Sequence, residues 1–257
     1  MRNIPLLMIF ILLINCTNKS AENNKASSQI IINQKEVKNQ VKPSKNKATE
    51  RFPETETFID STKIAQKGKY KIEITQTTID TSTTVYFKLF LKQKGKWTNI
   101  QNYSLKKESD VPLITEIDDF NNDGLNDFTI HYSTAARGAN DIRKLFIFSN
   151  KEHKFIEIKN SDLYPNLQYN KKLDCIDALS VYAGSSTTFL KLKKDHLIEF
   201  ARVDIMDGKI EIYLIEKNKE RKLRSEIYSG SSDEMIRFVN YDPLEEYGYE
   251  NNSTREN

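Results

Sequence analysis

The chain contains 257 residues, which is enough for one large domain or two small ones. Hydrophobic residues make up 38% of it and aromatic residues 10%, so a packed core is possible and disorder of the whole chain is excluded. The 39 basic and 36 acidic residues nearly balance, at a formal net charge of +3, which gives no reason to expect a nucleic-acid partner.

The first fifteen residues have a basic start and an unbroken apolar run from Ile4 to Ile14. A helix needs roughly 20 apolar residues to span a bilayer, so this shorter run predicts a signal peptide over residues 1–15. Cys16 follows directly, in "LLINC", which resembles the lipobox of bacterial lipoproteins, although Asn15 stands where Gly, Ala or Ser is commonest. The resemblance implies that Cys16 is lipidated and becomes the mature N-terminus. An ordinary secretory peptide is the alternative.

Thr17 follows the predicted lipidation site, and the lipoprotein resemblance associates inner-membrane retention with aspartate at that position. We therefore expect the outer membrane, contacted only through the lipid anchor, with the domain on its periplasmic or surface side. Residues 16–55 are rich in Lys, Asn, Ser and Gln, which predicts a flexible tether. This segment has an excess of basic residues, so the charge count assigns the basic character of the chain to the tether.

From residue 56 onward, apolar residues alternate with polar ones, as in half-buried β-strands. Tyr70, Ile72 and Ile74 lie on one face of "YKIEIT", and similar alternation recurs in about a dozen short segments at hairpin spacing. This predicts an all-β domain of mostly antiparallel strands over residues 56–245, either β-propeller-like or a sandwich. The polar residues 246–257 are expected to form a frayed tail.

The acidic segment "DDFNNDGLND", residues 118–127, lies between two of the predicted strands. Calcium prefers about six to eight oxygen ligands, and side chains at alternate positions of a tight loop can point to a common centre. We therefore predict a Ca²⁺ site in this loop. Its ligands would be the side chains of Asp119, Asn121 and Asp123, the carbonyl of Leu125, and Asp127 directly or through water.

Gly124 supplies the sharp turn of this loop. The twelfth position is Ile130, where an EF-hand has a bidentate glutamate, and the flanks are predicted strands, so the loop is not an EF-hand. It is similar to the DxDxDGxxD calcium loops of integrin-type extracellular β-repeats. One alternative is an acidic hairpin turn, which leaves the repulsion among four carboxylates unexplained. The other is a glycosidase-type carboxylate pair, which this crowded spacing does not indicate.

The other reactive side chains do not indicate catalysis. His131, His153 and His196 occupy separate segments, without the spacing of a zinc site or a catalytic triad. Cys175 lies among apolar residues, which predicts a buried thiol and, with Cys16 acylated, no disulfide. The sequence contains no phosphate loop, dinucleotide fingerprint or nucleophile elbow. We therefore expect a protein that is not an enzyme.

Several predicted loops carry candidates for partner binding, because Tyr and Arg on a rigid β-scaffold often contact partners and glycine-serine turns can do so. The candidates are Arg137 and Asn140 in "STAARGANDIR", Tyr164 and Tyr169 in "NSDLYPNLQYN", Tyr182 and Ser185 in "YAGSST", and Ser231 in "YSGSSDE". Alternatively, the arginines pair with nearby acids, the tyrosines cover the core, and the glycine-serine segments are only turns.

The lipobox, the polar tether and a β-domain with "DFNNDGLNDF" followed by "RGAND" resemble a family of bacterial exported lipoproteins. Members of that family carry a single calcium loop in a β-propeller-like domain, and some inhibit lysozyme-like peptidoglycan hydrolases or act as immunity proteins against them. The resemblance implies a lipid-anchored, calcium-stabilised envelope protein that binds a lysozyme-like hydrolase or another envelope protein. The alternative function is a calcium-dependent module that binds glycans or surfaces.

Overall fold

A computed structural model describes residues 53–217, 219–230 and 235–248. The predicted signal peptide, Cys16 and nearly all of the predicted tether lie outside the described residues. Ser231 and the end of the predicted tail also lie outside them.

The described residues form sixteen β-strands and two short 3₁₀ turns, which confirms the all-β prediction. The first sheet contains β1 (Glu54–Asp60), β2 (Tyr70–Ile79), β3 (Ser82–Gln93) and β4 (Lys96–Lys107). The second sheet contains β5 (Thr115–Asp118), β6 (Asp127–Ala135), β7 (Asn140–Ser149) and β8 (Lys154–Ile158). The 3₁₀ turns are Ala136–Gly138 and Ser161–Leu163.

The third sheet has six strands, and a two-stranded hairpin follows it. The sheet contains β9 (Gln168–Asn170), β10 (Cys175–Val181), β11 (Ser185–Lys193), β12 (His196–Met206), β13 (Lys209–Glu216) and β14 (Lys219–Ile227). The hairpin contains β15 (Phe238–Tyr241) and β16 (Leu244–Glu246). β1 begins two residues before the predicted start of the domain, and β16 ends one residue after its predicted end.

Each sheet is an antiparallel meander in which every strand pairs with its neighbours in sequence. The alternating sequence of β2 explains which of its faces packs against the core. Tyr70, Ile72 and Ile74 are buried, while the residues between them are half-buried. Among the described strands, no sheet is closed into a barrel.

The second sheet is covered on both faces. One face contributes Phe128 and Phe146 to a core shared with the first sheet, where Phe87 packs edge-on against both rings at 5.4 Å between centroids. The other face contributes Leu145 and Ile158 to a core shared with the third sheet. The three large sheets therefore form successive layers, with the second sheet in the middle.

The final hairpin packs on the third sheet, where Phe238 joins the core formed by strands β10 to β13. Below it, the fully buried carboxylate of Asp177 accepts hydrogen bonds from Arg237 Nε at 2.7 Å and from the Tyr247 hydroxyl at 2.6 Å. The N–H of Tyr247 donates to the carbonyl of Arg237 at 3.0 Å. Tyr247 is thus held in place, although the predicted frayed tail begins at residue 246. None of the described segments is a helix long and apolar enough to cross a membrane.

Candidate metal-binding loop

The acidic loop connects β5 to β6, as the sequence predicts. Asp118 and Asp127 face each other as the last cross-strand pair, and residues 119–126 form the loop beyond them. Asn122 and Gly124 adopt left-handed backbone conformations, with φ of 56° and 81°. Asparagine and glycine tolerate this region better than other residues do, so the sequence suits the tight turn.

Short polar side chains wrap the backbone of the turn. Asp119 accepts from the N–H groups of Asp123 at 3.1 Å and Gly124 at 2.8 Å. Asn121 Oδ1 accepts from the N–H of Asp123 at 3.3 Å, and Asp123 Oδ1 accepts from the N–H of Leu125 at 2.9 Å. These bonds gather the side chains of Asp119, Asn121 and Asp123, three of the predicted ligands, around one stretch of backbone.

Asp127 lies beneath the turn and is fully buried. Its carboxylate accepts from the N–H of Phe120 at 3.0 Å and from the N–H of Phe148 on β7 at 2.8 Å. Burial raises the pKa of Asp127 to about 8; the two backbone bonds oppose this shift, and the charges of Asp123 and Asp119 add to it. A neighbouring cation would relieve that repulsion and favour the ionised carboxylate.

The loop contacts the neighbouring sheets as well as its own. Asn126 forms a backbone bridge with Ala65, and its side chain donates to the carbonyl of Lys63 at 2.8 Å, both in the β1–β2 connection. Asn122 donates to Asp174, in the β9–β10 turn, at 3.2 Å. The loop therefore lies where the first, second and third sheets meet.

Oxygen is the donor atom that calcium prefers, and every predicted ligand of the loop offers an oxygen atom. Within the described part of the chain, no group of three or more His, Cys, Asp or Glu side chains could hold a metal ion. A calcium site here would therefore depend on Asn121 and the Leu125 carbonyl as well as on the aspartates.

An open cleft lies beside the loop, between the β7–β8 turn of the second sheet and the β11–β12 turn of the third. Asn121 and Asp123 line its side nearest the loop. The remaining lining is apolar at the floor and polar or charged at the rim: Ile147, Phe148, Ile156, Ser149, Asn150, Lys151, Glu152, Lys194 and Asp195.

The predicted partner-binding residues differ in how exposed they are. Arg137 is exposed in the 3₁₀ turn after β6, and Tyr182 is 51% exposed between β10 and β11. Tyr164 is half-buried against the second core, which matches the alternative that tyrosines cover the core. Tyr169 is half-buried and donates to Asp174 at 2.7 Å, beside the acidic loop.

Two of these candidates are used inside the fold instead. Asn140 donates to the carbonyl of Val181 at 2.9 Å and accepts from its N–H at 2.8 Å, so its amide joins the second sheet to the third. Ser185 is 2% exposed in β11, because the strand begins earlier than the glycine-serine pattern suggests. Neither side chain is available to a partner in this conformation.

Each of the three histidines and Cys175 has its own surroundings in the fold. His131 is buried with Nε2 3.5 Å from Asp141, His153 Nδ1 is 3.0 Å from the Tyr70 hydroxyl, and His196 contacts its neighbour Asp195. Cys175 is buried, and burial raises the pKa of its thiol to about 12, which makes it unreactive.

One group of charged residues is missed by the sequence-based reasoning. The tetrapeptide Gln-Lys-Gly-Lys occurs at 66–69 and again at 93–96, each time before an aromatic residue, and the fold places the two copies side by side. The repeated tetrapeptide is the signal that identifies them in the sequence.

Comparisons with known proteins add little to this geometry. No protein-family model matches the sequence, and no curated protein matches it. A solved structure described as that of a Xanthomonas type IV secretion system related protein is similar at 12% sequence identity and a TM-score of 0.43. The similarity covers 68% of this chain and 100% of that chain. We draw no functional conclusion from a similarity of this size.

Proposed function

We propose that this chain is a lipid-anchored, calcium-stabilised envelope protein that acts by binding another protein. The first partner class to test is a lysozyme-like cell-wall hydrolase. The observation that carries the proposal is the position of the acidic loop, which contacts three sheets and borders an open cleft.

Calcium would act in this proposal as a structural ion. Bound calcium supplies positive charge to the carboxylates of the loop. Hydrogen bonds from the loop residues would then keep the three sheets together. Asp119 and Asp123 bond the backbone of the turn, Asp127 bonds β7, and Asn126 bonds the β1–β2 connection. Because these contacts join different sheets, stabilising the loop stabilises the domain.

We also infer that the three large sheets are the blade-like layers of a β-propeller-like domain. The support is that each sheet is a meander of consecutive strands and that the second packs face to face with both of the others. Such an arrangement presents its turns at the ends of the layers, where the cleft lies.

The cleft is the surface that we propose for the partner. Its apolar floor and charged rim match the general anatomy of protein interfaces, and its walls are turns held on rigid sheets. A lipid on Cys16 would keep the domain attached to the membrane through the predicted tether.

The calcium part of the proposal is tested by thermal unfolding of the full chain in calcium and in chelator. At a calcium concentration about 100-fold above Kd, we expect a stabilisation of about 2.7 kcal/mol. Asp123→Ala should remove this calcium-dependent increment, whereas Asp118→Ala should keep it, because Asp118 lies outside the predicted ligand set. An unfolding temperature that calcium and chelator leave unchanged in the parent chain would refute the assignment.

The partner is tested by measuring peptidoglycan hydrolysis by a panel of lysozyme-like enzymes with and without the calcium-loaded chain. We expect inhibition of at least one enzyme, weakened at least about tenfold by Lys151→Glu combined with Lys194→Glu in the cleft. Lys217→Glu combined with Lys219→Glu, on the β13–β14 turn and outside the cleft lining, is the control with the same change of charge. Binding to no enzyme, together with calcium-dependent retention on a polysaccharide, would favour the glycan-binding alternative.

A further inference from the structure

Six lysines lie at one end of the first sheet. They are on two turns, and on the adjoining ends of β2 and β3, that the pairing of β2, β3 and β4 brings together. We name this group the lysine patch; it consists of Lys67, Lys69, Lys71, Lys92, Lys94 and Lys96. All except Lys71 are exposed.

Backbone geometry fixes the position of both turns. In the first, Lys69 N donates to the carbonyl of Gln66 at 3.1 Å, and Gly68 has φ of 71°. In the second, Lys94 and Gly95 have φ of 47° and 79°, as in the two-residue turns that suit hairpins. The N–H of Lys92 donates to the carbonyl of Lys69 at 2.9 Å, so the two turns lie beside each other.

The positive charge of the patch is largely unneutralised. Lys71 pairs with Glu73 at 2.6 Å, but none of the other five lysines forms an ion pair with a carboxylate in the described ranges. Aromatic rings hold part of the patch in place: Lys71 lies 4.3 Å from the ring centroid of Phe90, and Lys92 lies 5.5 Å from that of Trp97. Like charges on two adjacent turns favour an anionic ligand that spans several of them.

We propose that the lysine patch binds a linear acidic polysaccharide. Such a polymer carries negative charges at regular intervals along a flexible, hydrated chain, so it can contact lysines on both turns at once. Binding of this kind releases counterions and is strongly dependent on salt. It requires neither the acidic loop nor calcium.

Three other polyanionic partners fit the patch less well. Both turns consist of Gln, Lys and Gly, with no apolar side chain to enter the acyl region of a membrane or to form the centre of a protein interface. Single-stranded nucleic acid binds through bases stacked on aromatic rings. In the lysine patch, lysine ammonium groups already lie over the rings of Phe90 and Trp97, so these rings do not offer a free face for base stacking.

The test measures binding of the full chain to polygalacturonate, a linear polymer of uronic acid, at several salt concentrations. Replacing four exposed lysines, in the variant Lys67→Gln, Lys69→Gln, Lys94→Gln, Lys96→Gln, should weaken binding at least about tenfold at low salt. The magnitude of the slope of log affinity against log salt should fall by about 2 for the four lysines removed. Each cationic contact is expected to contribute somewhat less than the value of about 0.7 found for single-stranded nucleic acid.

The matched control is Lys193→Gln, Lys209→Gln, Lys217→Gln, Lys219→Gln, which removes the same charge from exposed hairpin positions of the third sheet that lie outside the cleft lining. It should retain binding within about threefold. The basic tether is present in all three chains, so its contribution cancels. Equal losses in both variants, or equal binding of the parent to neutral dextran, would overturn the proposal. So would tighter binding of the parent to anionic phospholipid vesicles or to single-stranded DNA than to polygalacturonate.

Discussion

Replacing Arg237 with methionine should unfold the C-terminal hairpin from the third sheet, because Arg237 is the cation that balances a fully buried charge. Asp177 is 0% exposed, and it receives hydrogen bonds from Arg237, from the Tyr247 hydroxyl and, at 2.8 Å, from Asn170. Arg237 also donates to the carbonyls of Asn166 at 2.7 Å and Asp177 at 3.0 Å. One substitution therefore removes a buried ion pair and leaves two further carbonyls with fewer donors.

The expected loss of unfolding free energy is about 3–5 kcal/mol, the usual cost of removing one partner of a buried ion pair. The effect depends on pH in a defined direction. Burial already raises the pKa of Asp177, and Arg237 opposes that shift, so Arg237→Met raises the pKa further. A carboxyl whose folded pKa exceeds its unfolded value loses stability as pH rises. The deficit should therefore be larger at pH 8 than at pH 5.

Urea unfolding of the full chain at these two pH values measures the deficit. Asp177→Asn combined with Arg237→Met should recover part of the stability lost in Arg237→Met, because no unpaired charge is then buried. Arg224→Met, which removes a partly exposed ion pair with Glu226, should cost less than about 1 kcal/mol. If Arg237→Met stays within 1 kcal/mol of the parent at pH 8, or if the double variant is the less stable of the two, the reasoning is refuted.

Two further predictions concern buried titratable groups. Burial lowers the pKa of Lys107 from 10.5 to about 8, against the opposing charges of Glu56 and Asp110, so the unfolded chain binds more protons between these values. Unfolding free energy should therefore rise by up to about 3 kcal/mol from pH 8 to pH 10.5, and a rise that persists in Lys107→Met would contradict this. Cys175, with a pKa of about 12, should react with a disulfide reagent at pH 8 at least about 100-fold more slowly in the folded Cys16→Ser chain than in urea; equal rates would show that the thiol is accessible.

The strands with clear alternation were predictable from sequence. The predicted segments correspond to β2 to β8 and β10 to β15. Burial alternates from residue to residue along most of β2 and β3, whereas β7 has a run of four buried residues, Leu145 to Phe148. β1, β9 and β16 were not identified. β1 is a polar edge strand, in which Phe58 alone packs against the first core, and the other two have three residues each. Short or polar edge strands carry too little periodicity to be recognised.

The position and tight turn of the acidic loop were also predictable, because they depend on neighbouring residues and on Gly124. The contacts that hold the loop in position were not predictable, because they join residues far apart in the sequence. Asp127 accepts from the N–H of Phe148 on β7, and Asn126 donates to the carbonyl of Lys63 in the β1–β2 connection. The hydrogen bonds of Asn140 could not be predicted from the sequence for the same reason, since its partner Val181 lies 41 residues away. The lysine patch exists only after three strands have paired, so a charge count over segments cannot locate it.

The consecutive order of strands in every sheet has a consequence for how the domain folds. Each strand finds its hydrogen-bonding partner across a turn or short loop, so no long connection must close before pairing begins. β1 to β4 can form a complete meander before β5 to β8 are available, and the second sheet can then pack on a finished template. A chain released from its N-terminal end can therefore acquire structure sheet by sheet. The β15–β16 hairpin, which Arg237 connects to Asp177, would pack on the third sheet last.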